Sequence, residues 1–257
     1  MLDHSETVAV IAGGTQGLGL AIAGRLIDAG CTRLVISGRR VTEGEAAAVA
    51  LRERGVDARF IPADMGLIED AIALIDRAAN RFGRVTALVN AAATTERGSI
   101  LDCTPADFDK HMAVNARGPF FALQRFAQLA VEKGHPAAAV NILSMVVHCG
   151  QSFLAPYSAS KAGLHGLTRA VAVDYSTEVR CNAVAPGWTV SGSSAPSGFQ
   201  LDGFCKAQGM RSSMRDAVWP LAMAVRVARK YAYGSTSFSL QVSIKEAMRA
   251  HVRPPSS

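Results

Sequence analysis

Two hydrophobic rhythms alternate through the first 189 residues. Short apolar runs rich in β-branched residues fall at 7–12, 33–37, 58–62, 85–90, 137–143 and 179–185. They show little polar alternation, as expected of strands buried on both faces. Between them, apolar positions recur at helical spacing near 17–29, 43–54, 69–82, 105–133 and 155–175. In the first of these segments Leu18, Ile22 and Leu26 recur every four residues and form one buried stripe. The fourth opens with Thr104-Pro105 and Asp107. These are an N-cap, a proline at the first helical position and an acid facing the positive end of the helix dipole. Each strand followed by a helix predicts an α/β fold, a doubly wound parallel sheet that binds ligands beyond the carboxyl ends of its strands.

Composition narrows this picture. The chain has 257 residues, 49% apolar and 19% charged, which excludes global disorder and allows one large core without disulfides. No apolar run approaches the ~18 residues of a membrane-spanning helix. The opening Met1-Leu-Asp-His-Ser-Glu6 is acidic, unlike a secretory leader. Five cysteines (Cys31, Cys103, Cys149, Cys181, Cys205) are scattered, odd in number and without a C-x-x-C pair. Neither a disulfide framework nor a metal site is expected, and a reducing cytoplasm fits.

The net charge of +6 lies wholly beyond residue 189, because residues 1–189 carry 18 basic and 18 acidic side chains. Serine shifts at the same place, from 8 in the first 189 residues to 12 in the last 68. The chain therefore divides into an α/β domain at 1–189 and a basic Ser/Arg-rich segment at 190–257. Six strands are legible in the first part and no seventh in the second, where residues 219–233 read as a basic amphipathic helix. Without a seventh strand, the sixth would be an exposed edge.

The first strand runs into Ala12-Gly13-Gly14-Thr15-Gln16-Gly17-Leu18-Gly19. Glycines after a strand let the backbone turn tightly and approach a pyrophosphate, and the helix that follows aims its free N–H groups at the anion. The spacing G-x-x-x-G-x-G resembles that of the short-chain dehydrogenase/reductase family, whose domain is of the Rossmann type. An acid about 20 residues further on would select NAD(H) by bonding the ribose 2′-hydroxyl. Here Gly38 takes that place and Arg39 and Arg40 follow. Two guanidinium groups suit a 2′-phosphate, so NADP(H) is favoured over NAD(H). Asp64, with Met65 beside it, resembles the family residue at the adenine amino group. Its alternative reading is a helix N-cap.

Tyr157-Ser-Ala-Ser-Lys161 places a phenol and an ammonium four residues apart on one helix face. A nearby cation favours the phenolate, so Lys161 is expected to bring the Tyr157 pKa down from about 10. The resemblance extends to Ser144, 13 residues before Tyr157, and to Asn115 in Ala113-Val-Asn-Ala. It implies that Ser144 holds the substrate oxygen, and that the Asn115 backbone carbonyl holds a water linking Lys161 to solvent. Asn90 in Leu88-Val-Asn-Ala-Ala-Ala93 resembles the family's N-N-A-G segment. Asn182-Ala-Val-Ala-Pro186-Gly187 resembles its N-x-x-x-P-G segment beside the nicotinamide, with Ser191 where a Thr often meets the carboxamide.

The resemblance covers residues 7 to about 191. It implies hydride transfer between nicotinamide C4 and the carbon of a small carbonyl compound or secondary alcohol. Tyr157 is then the acid/base, and Lys161 holds the nicotinamide ribose. It implies a homodimer or homotetramer built on residues 105–133 and 155–175. The modest charge and sparse aromatics of the basic tail argue against a nucleic-acid partner, and the lack of a long apolar run against a membrane. Beyond Ser191 the sequence departs from the family. The alternative is a catalytically silent nicotinamide-nucleotide-binding protein.

Overall fold

The computed structural model describes residues 3–187 and 239–241. Val8–Ala12 forms β1, buried at all five positions, and lies inside the sheet with a strand on each side. The chain then alternates through α1 (Gly17–Asp28), β2 (Arg33–Gly38), α2 (Val41–Arg52), β3 (Asp57–Pro62), α3 (Ile68–Phe82) and β4 (Ala87–Asn90). Next come α4 (Pro105–Met112), α5 (Gly118–Lys133), β5 (Ala137–Ile142), α6 (Ala155–Asp174) and β6 (Val179–Ala185). With a short strand β7 (Ser239–Gln241), the strand order is β3-β2-β1-β4-β5-β6-β7, with every pair parallel. This is the doubly wound, Rossmann-type sheet.

Two cores cover the two faces. Ile22, Ala23 and Leu26 of α1 and Ala47, Ala48 and Leu51 of α2 pack on one. Leu74, Ile75 and Ala78 of α3 and Leu123, Phe126 and Ala130 of α5 pack on the other, joined by Leu167 and Val171 of α6. The chain winds one way from β1 to β3 and the other way from β4 to β6, so the crevice between β1 and β4 opens at their carboxyl ends.

Two expectations are corrected. First, the single helix expected over 105–133 is interrupted by a π-helical turn at Ala113–Arg117. Pro119 supplies the reason: it has no N–H to give the Asn115 carbonyl four residues earlier, so regular α-helical bonding cannot pass through this point. The predicted start is observed, with a full capping box between Thr104 and Asp107. Second, β6 is not an edge. Strand β7 pairs with Ala183–Ala185. Its three residues lie within Phe238-Ser-Leu-Gln-Val-Ser-Ile244, where apolar and polar residues alternate strictly, so a strand signal was present and the reading of six strands passed over it. Residues 188–238 and 242–257, including Ser191 and the 219–233 segment, lie outside the described residues.

Candidate active site

The loop between β1 and α1 is a cradle of backbone. Gly13 has φ +79°, and its N–H and that of Gly14 both reach the Ser37 carbonyl at 3.0 Å. A Cβ on Gly13 would stand 2.5 Å from the Ala92 nitrogen, and one on Gly19 would stand 2.1 Å from the Gly13 carbonyl oxygen. Gly17 begins α1 with φ +54°. Gln16 is the N-cap in extended geometry, and no side chain caps the helix. Nor does its first turn contain an acid. The free N–H groups of that turn therefore face the crevice, an arrangement suited to an anion. The Leu18 side chain packs into the core beneath, which leaves its backbone to the loop.

At the end of β2, Gly38 matters sterically. A Cβ there would meet the Thr15 Oγ1 at 2.9 Å, so Thr15 holds the space in which an acid would have stood. Ser37 Oγ beneath it is buried and has no hydrogen-bond partner. Arg39 and Arg40 are both exposed. Arg40 bonds the Gln16 side chain and pairs with Glu43 at 3.2 Å, which ties the phosphate loop to the start of α2. Asp64 accepts from the Gly66 N–H at 2.8 Å in a local turn. Helix α3 begins later, with Leu67 at its N-cap, so Asp64 does not cap it. Met65 is buried in the core.

Across the crevice, Asn90 ends β4 with 1% exposure; its amide donates to Asn141 at 2.8 Å and its Oδ1 is unpartnered. Asn115, fully buried in the π turn, clamps the loop after β4: its Oδ1 accepts from Thr94 N at 2.8 Å and its Nδ2 donates to Thr94 O at 2.9 Å. The same Nδ2 reaches Ser160 Oγ at 3.0 Å, and Ser160 donates to the Tyr157 carbonyl at 2.7 Å. The expected role of Asn115 concerned its carbonyl, which Pro119 leaves without the usual helical donor. The side-chain tether to α6 is additional. Pro186 O accepts from Met145 N at 3.0 Å, so the segment ending in Gly187 sits beside the Ser144 loop.

Ser144, just past β5, precedes a 3-10 turn at Met145–Val147 and caps it through Val146 N. Its side chain lies beside the Tyr157 hydroxyl, close enough to draw that group's pKa down. Tyr157 packs with Val146 and Leu154 at 8% exposure. The loop between is pinned where Gly98 N donates to Phe153 O at 3.1 Å, with Phe153 at φ +65°. Lys161, 1% exposed, donates to the Ile142 carbonyl at 2.7 Å, and its Nζ lies 5.9 Å from the Tyr157 ring centroid. Ser144, Tyr157 and Lys161 thus lie together, with Tyr157 and Lys161 one helical turn apart on α6.

The electrostatics differ from expectation. Burial raises the Tyr157 pKa above its ordinary value, and the Ser144 side chain offsets this only in part. Burial also lowers Lys161 from 10.5 to about 8. In the unliganded protein, desolvation outweighs the neighbouring cation, because both groups leave water together. Sequence reading missed Thr94, Ser160, Asn141 and Thr168. For Ser160, Asn141 and Thr168 the available signal was a polar residue at a position the helical or strand pattern places inside; Thr94, which contributes only backbone groups from a loop, gave none.

The chain matches the family model for short chain dehydrogenases over residues 7–198. It is 34% identical over 185 residues to the NADP-dependent (R)-specific alcohol dehydrogenase of Lentilactobacillus kefiri, covering 70% of this chain and 72% of that one. Among solved structures, a short chain dehydrogenase from Burkholderia cenocepacia in complex with NADP superposes with a TM-score of 0.79 at 26% identity, covering 91% of this chain and 96% of that one. An NAD+-bound xylitol dehydrogenase superposes with a TM-score of 0.69 at 28% identity, covering 73% and 72%. With its doubly wound sheet and glycine cradle, the chain belongs to the short-chain dehydrogenase/reductase family of nicotinamide-dependent oxidoreductases. No helix among the described residues is long and apolar enough to cross a membrane.

Proposed function

We propose that the protein is an NADP(H)-preferring oxidoreductase that interconverts a small carbonyl compound and a secondary alcohol, with Tyr157 as acid/base. The observation carrying this reading is the convergence of the Ser144 hydroxyl, the Tyr157 hydroxyl and the buried Lys161 ammonium at the carboxyl ends of β5 and β6. The glycine cradle and the uncapped first turn of α1 fit a dinucleotide pyrophosphate, because any Cβ at Gly13 or Gly19 would fill the space. When bound, the nucleotide supplies the hydride at its nicotinamide C4.

The protein's own groups handle the oxygen and the proton. In reduction, Ser144 Oγ hydrogen-bonds the carbonyl oxygen and orients it beside Tyr157. A phenol held above its ordinary pKa keeps its proton at neutral pH, so Tyr157 enters the step as the acid and gives that proton to the oxygen. Lys161, still charged below pH about 8, offsets the negative charge left on the phenolate. It would hold the nicotinamide ribose hydroxyls as well. The Asn115 carbonyl, with no α-helical donor from Pro119, holds a water that returns a proton through Lys161. Asp64 with Met65 borders the adenine, and Asn90, Pro186 and Gly187 border the nicotinamide side.

Arg39 and Arg40 are the groups that face a 2′-phosphate. The named relatives support this reading, since the L. kefiri enzyme and the B. cenocepacia structure are described with NADP. The xylitol dehydrogenase, described with NAD+, is why the preference needs its own test. Fluorescence titration with NADPH and NADH, followed by a screen of small ketones and alcohols, provides it. Tighter NADPH binding with turnover is expected. Tighter NADH binding would overturn the Arg39–Arg40 argument, and binding without turnover across the screen would mark a silent nucleotide-binding protein.

Phe108 of α4, Phe120 of α5 and Val173 of α6 are exposed apolar side chains on the helices expected to join copies of the chain. We infer a homodimer or homotetramer through them, and a cytoplasmic setting in keeping with the free thiols Cys31, Cys103, Cys149 and Cys181. Sedimentation of the purified protein as a monomer at micromolar concentration would contradict the first.

A further inference from the structure

A row of polar side chains crosses the interior where an apolar core would be the ordinary outcome. Asn90 and Asn141 are register partners on β4 and β5. Asn90 Nδ2 donates to Asn141 Oδ1 at 2.8 Å, and Asn141 Nδ2 donates to Thr168 Oγ1 at 2.9 Å. Thr168 Oγ1 in turn donates to the Leu164 carbonyl at 2.8 Å. The three residues are 1%, 0% and 2% exposed, which makes any unpaired group among them expensive.

The hydrogens in this row have one consistent assignment. Thr168 has a single hydroxyl proton, committed to Leu164 O, so it meets Asn141 as an acceptor. Asn141 must then present its amide nitrogen to α6 and its oxygen to Asn90. Each bond is directional, and together they tie one point on α6 to one point on β5 and to the end of β4.

Thr168 lies seven residues beyond Lys161, two turns along the same helix face. Helix α6 therefore grips β5 at two consecutive residues, through Thr168 on Asn141 and through Lys161 on Ile142. The Lys161 bond is given by a catalytic cation that must also serve the bound nucleotide and Tyr157. The Thr168 bond has no other duty. We propose that Thr168, acting through Asn141, is a positioning residue: it sets the rotation and axial position of α6 and so places Tyr157 and Lys161 against the Asn90 end of β4. This rests on the oxidoreductase reading above. A misplacement of about 1 Å at a reacting group can cost on the order of 100-fold in rate, so a small rotation of α6 is enough to matter.

Thr168→Val keeps the shape and removes the acceptor, Thr168→Ala removes it without bulk, and Thr168→Ser restores it. The measurement is kcat per nucleotide-binding site, with NADPH and the best ketone of the screen, so that any unfolded fraction drops out. We expect Thr168→Val and Thr168→Ala to lower kcat about tenfold or more, with NADPH affinity and ketone KM within about twofold. The basic limb of their pH–kcat profile should shift as the Lys161–Ile142 contact changes. Thr168→Ser should return both to wild type. Wild-type kcat in Thr168→Val, or in Thr168→Ala where the valine variant does not fold, overturns the inference, even if Tm falls. So does an equal loss in Thr168→Ser. A wild type that binds NADPH and reduces nothing defeats the oxidoreductase reading and this inference with it. An active wild type matched by its valine variant defeats the inference alone.

Discussion

Between β1 and β2 the site is made of backbone; between β4 and β6 it is made of buried side chains. On the first side, Gly13, Gly17 and Gly19 clear a space and the uncapped turn of α1 points N–H groups into it. Its charged groups, Arg39 and Arg40, stand in water. On the second side, Asn90, Asn115, Asn141, Ser160, Lys161 and Thr168 are at most 2% exposed, and all but the Asn90 oxygen are engaged. The difference teaches where each half fails. The nucleotide half is vulnerable to added atoms. The catalytic half is vulnerable to lost hydrogen-bond partners and to changes of charge that its low polarity amplifies.

The largest effect expected from breaking this division comes from Tyr157→Phe. It should lower turnover by about 10³-fold, roughly 4 kcal/mol of transition-state stabilisation, while NADPH affinity stays within about twofold. Steady-state kinetics beside fluorescence titration checks it, and retained turnover would remove Tyr157 from the chemistry.

Next is Lys161→Met, read through stability in the absence of nucleotide. The folded Lys161 pKa is about 8 against an ordinary 10.5, so between these values the unfolded chain binds more protons and the group's contribution to stability rises with pH. Below pH 8 the full cost of the buried cation is present. The stability of Lys161→Met relative to wild type should therefore be greatest near pH 7 and shrink by about 3 kcal/mol by pH 10.5. Urea denaturation of both proteins across that range measures it. A pH-independent difference would mean that Lys161 titrates normally.

On the nucleotide side, Gly19→Ala should weaken NADPH binding about 30-fold, near 2 kcal/mol, because its Cβ would press on the Gly13 carbonyl. Turnover at saturating NADPH should change little, since no catalytic side chain moves. A variant with intact affinity and lost turnover would reverse the comparison. The smallest effect is assigned to the arginines. Arg40 is already shared between Gln16 and Glu43, so Arg39→Ala should cost more NADPH affinity, about fivefold, than Arg40→Ala, and neither should alter NADH affinity.

The nucleotide half was the more legible in sequence because its signals are local. Val8–Ala12 followed by three spaced glycines states the strand, the turn and the helix in twelve residues. The catalytic half depends on contacts between residues far apart. Tyr157 and Lys161 could be paired from helical spacing, but Asn141 meeting Thr168, 27 residues on, and Asn115 meeting Ser160, 45 residues on, are facts of packing. The π turn at Ala113–Arg117 was hidden because apolar positions keep helical spacing across 105–133, although Gly118 and Pro119 carried the cause. The direction of the Tyr157 pKa was misjudged for a related reason: spacing shows a cation nearby and says nothing of how much water both groups lose. Strand β7 was legible in the alternation of Phe238, Leu240, Val242 and Ile244 with polar residues, but the change of charge and serine content around it drew the reading away from a strand.

The most direct test of the whole account follows one atom. The protein is given NADPH deuterated at the transferring C4 position together with a small ketone it turns over, and the product is analysed by mass spectrometry and NMR. The account predicts one deuterium on the carbinol carbon, made by the wild type and not by Tyr157→Phe, although both bind the nucleotide. Product alcohol without the label, or equal labelled product from the variant, would contradict it.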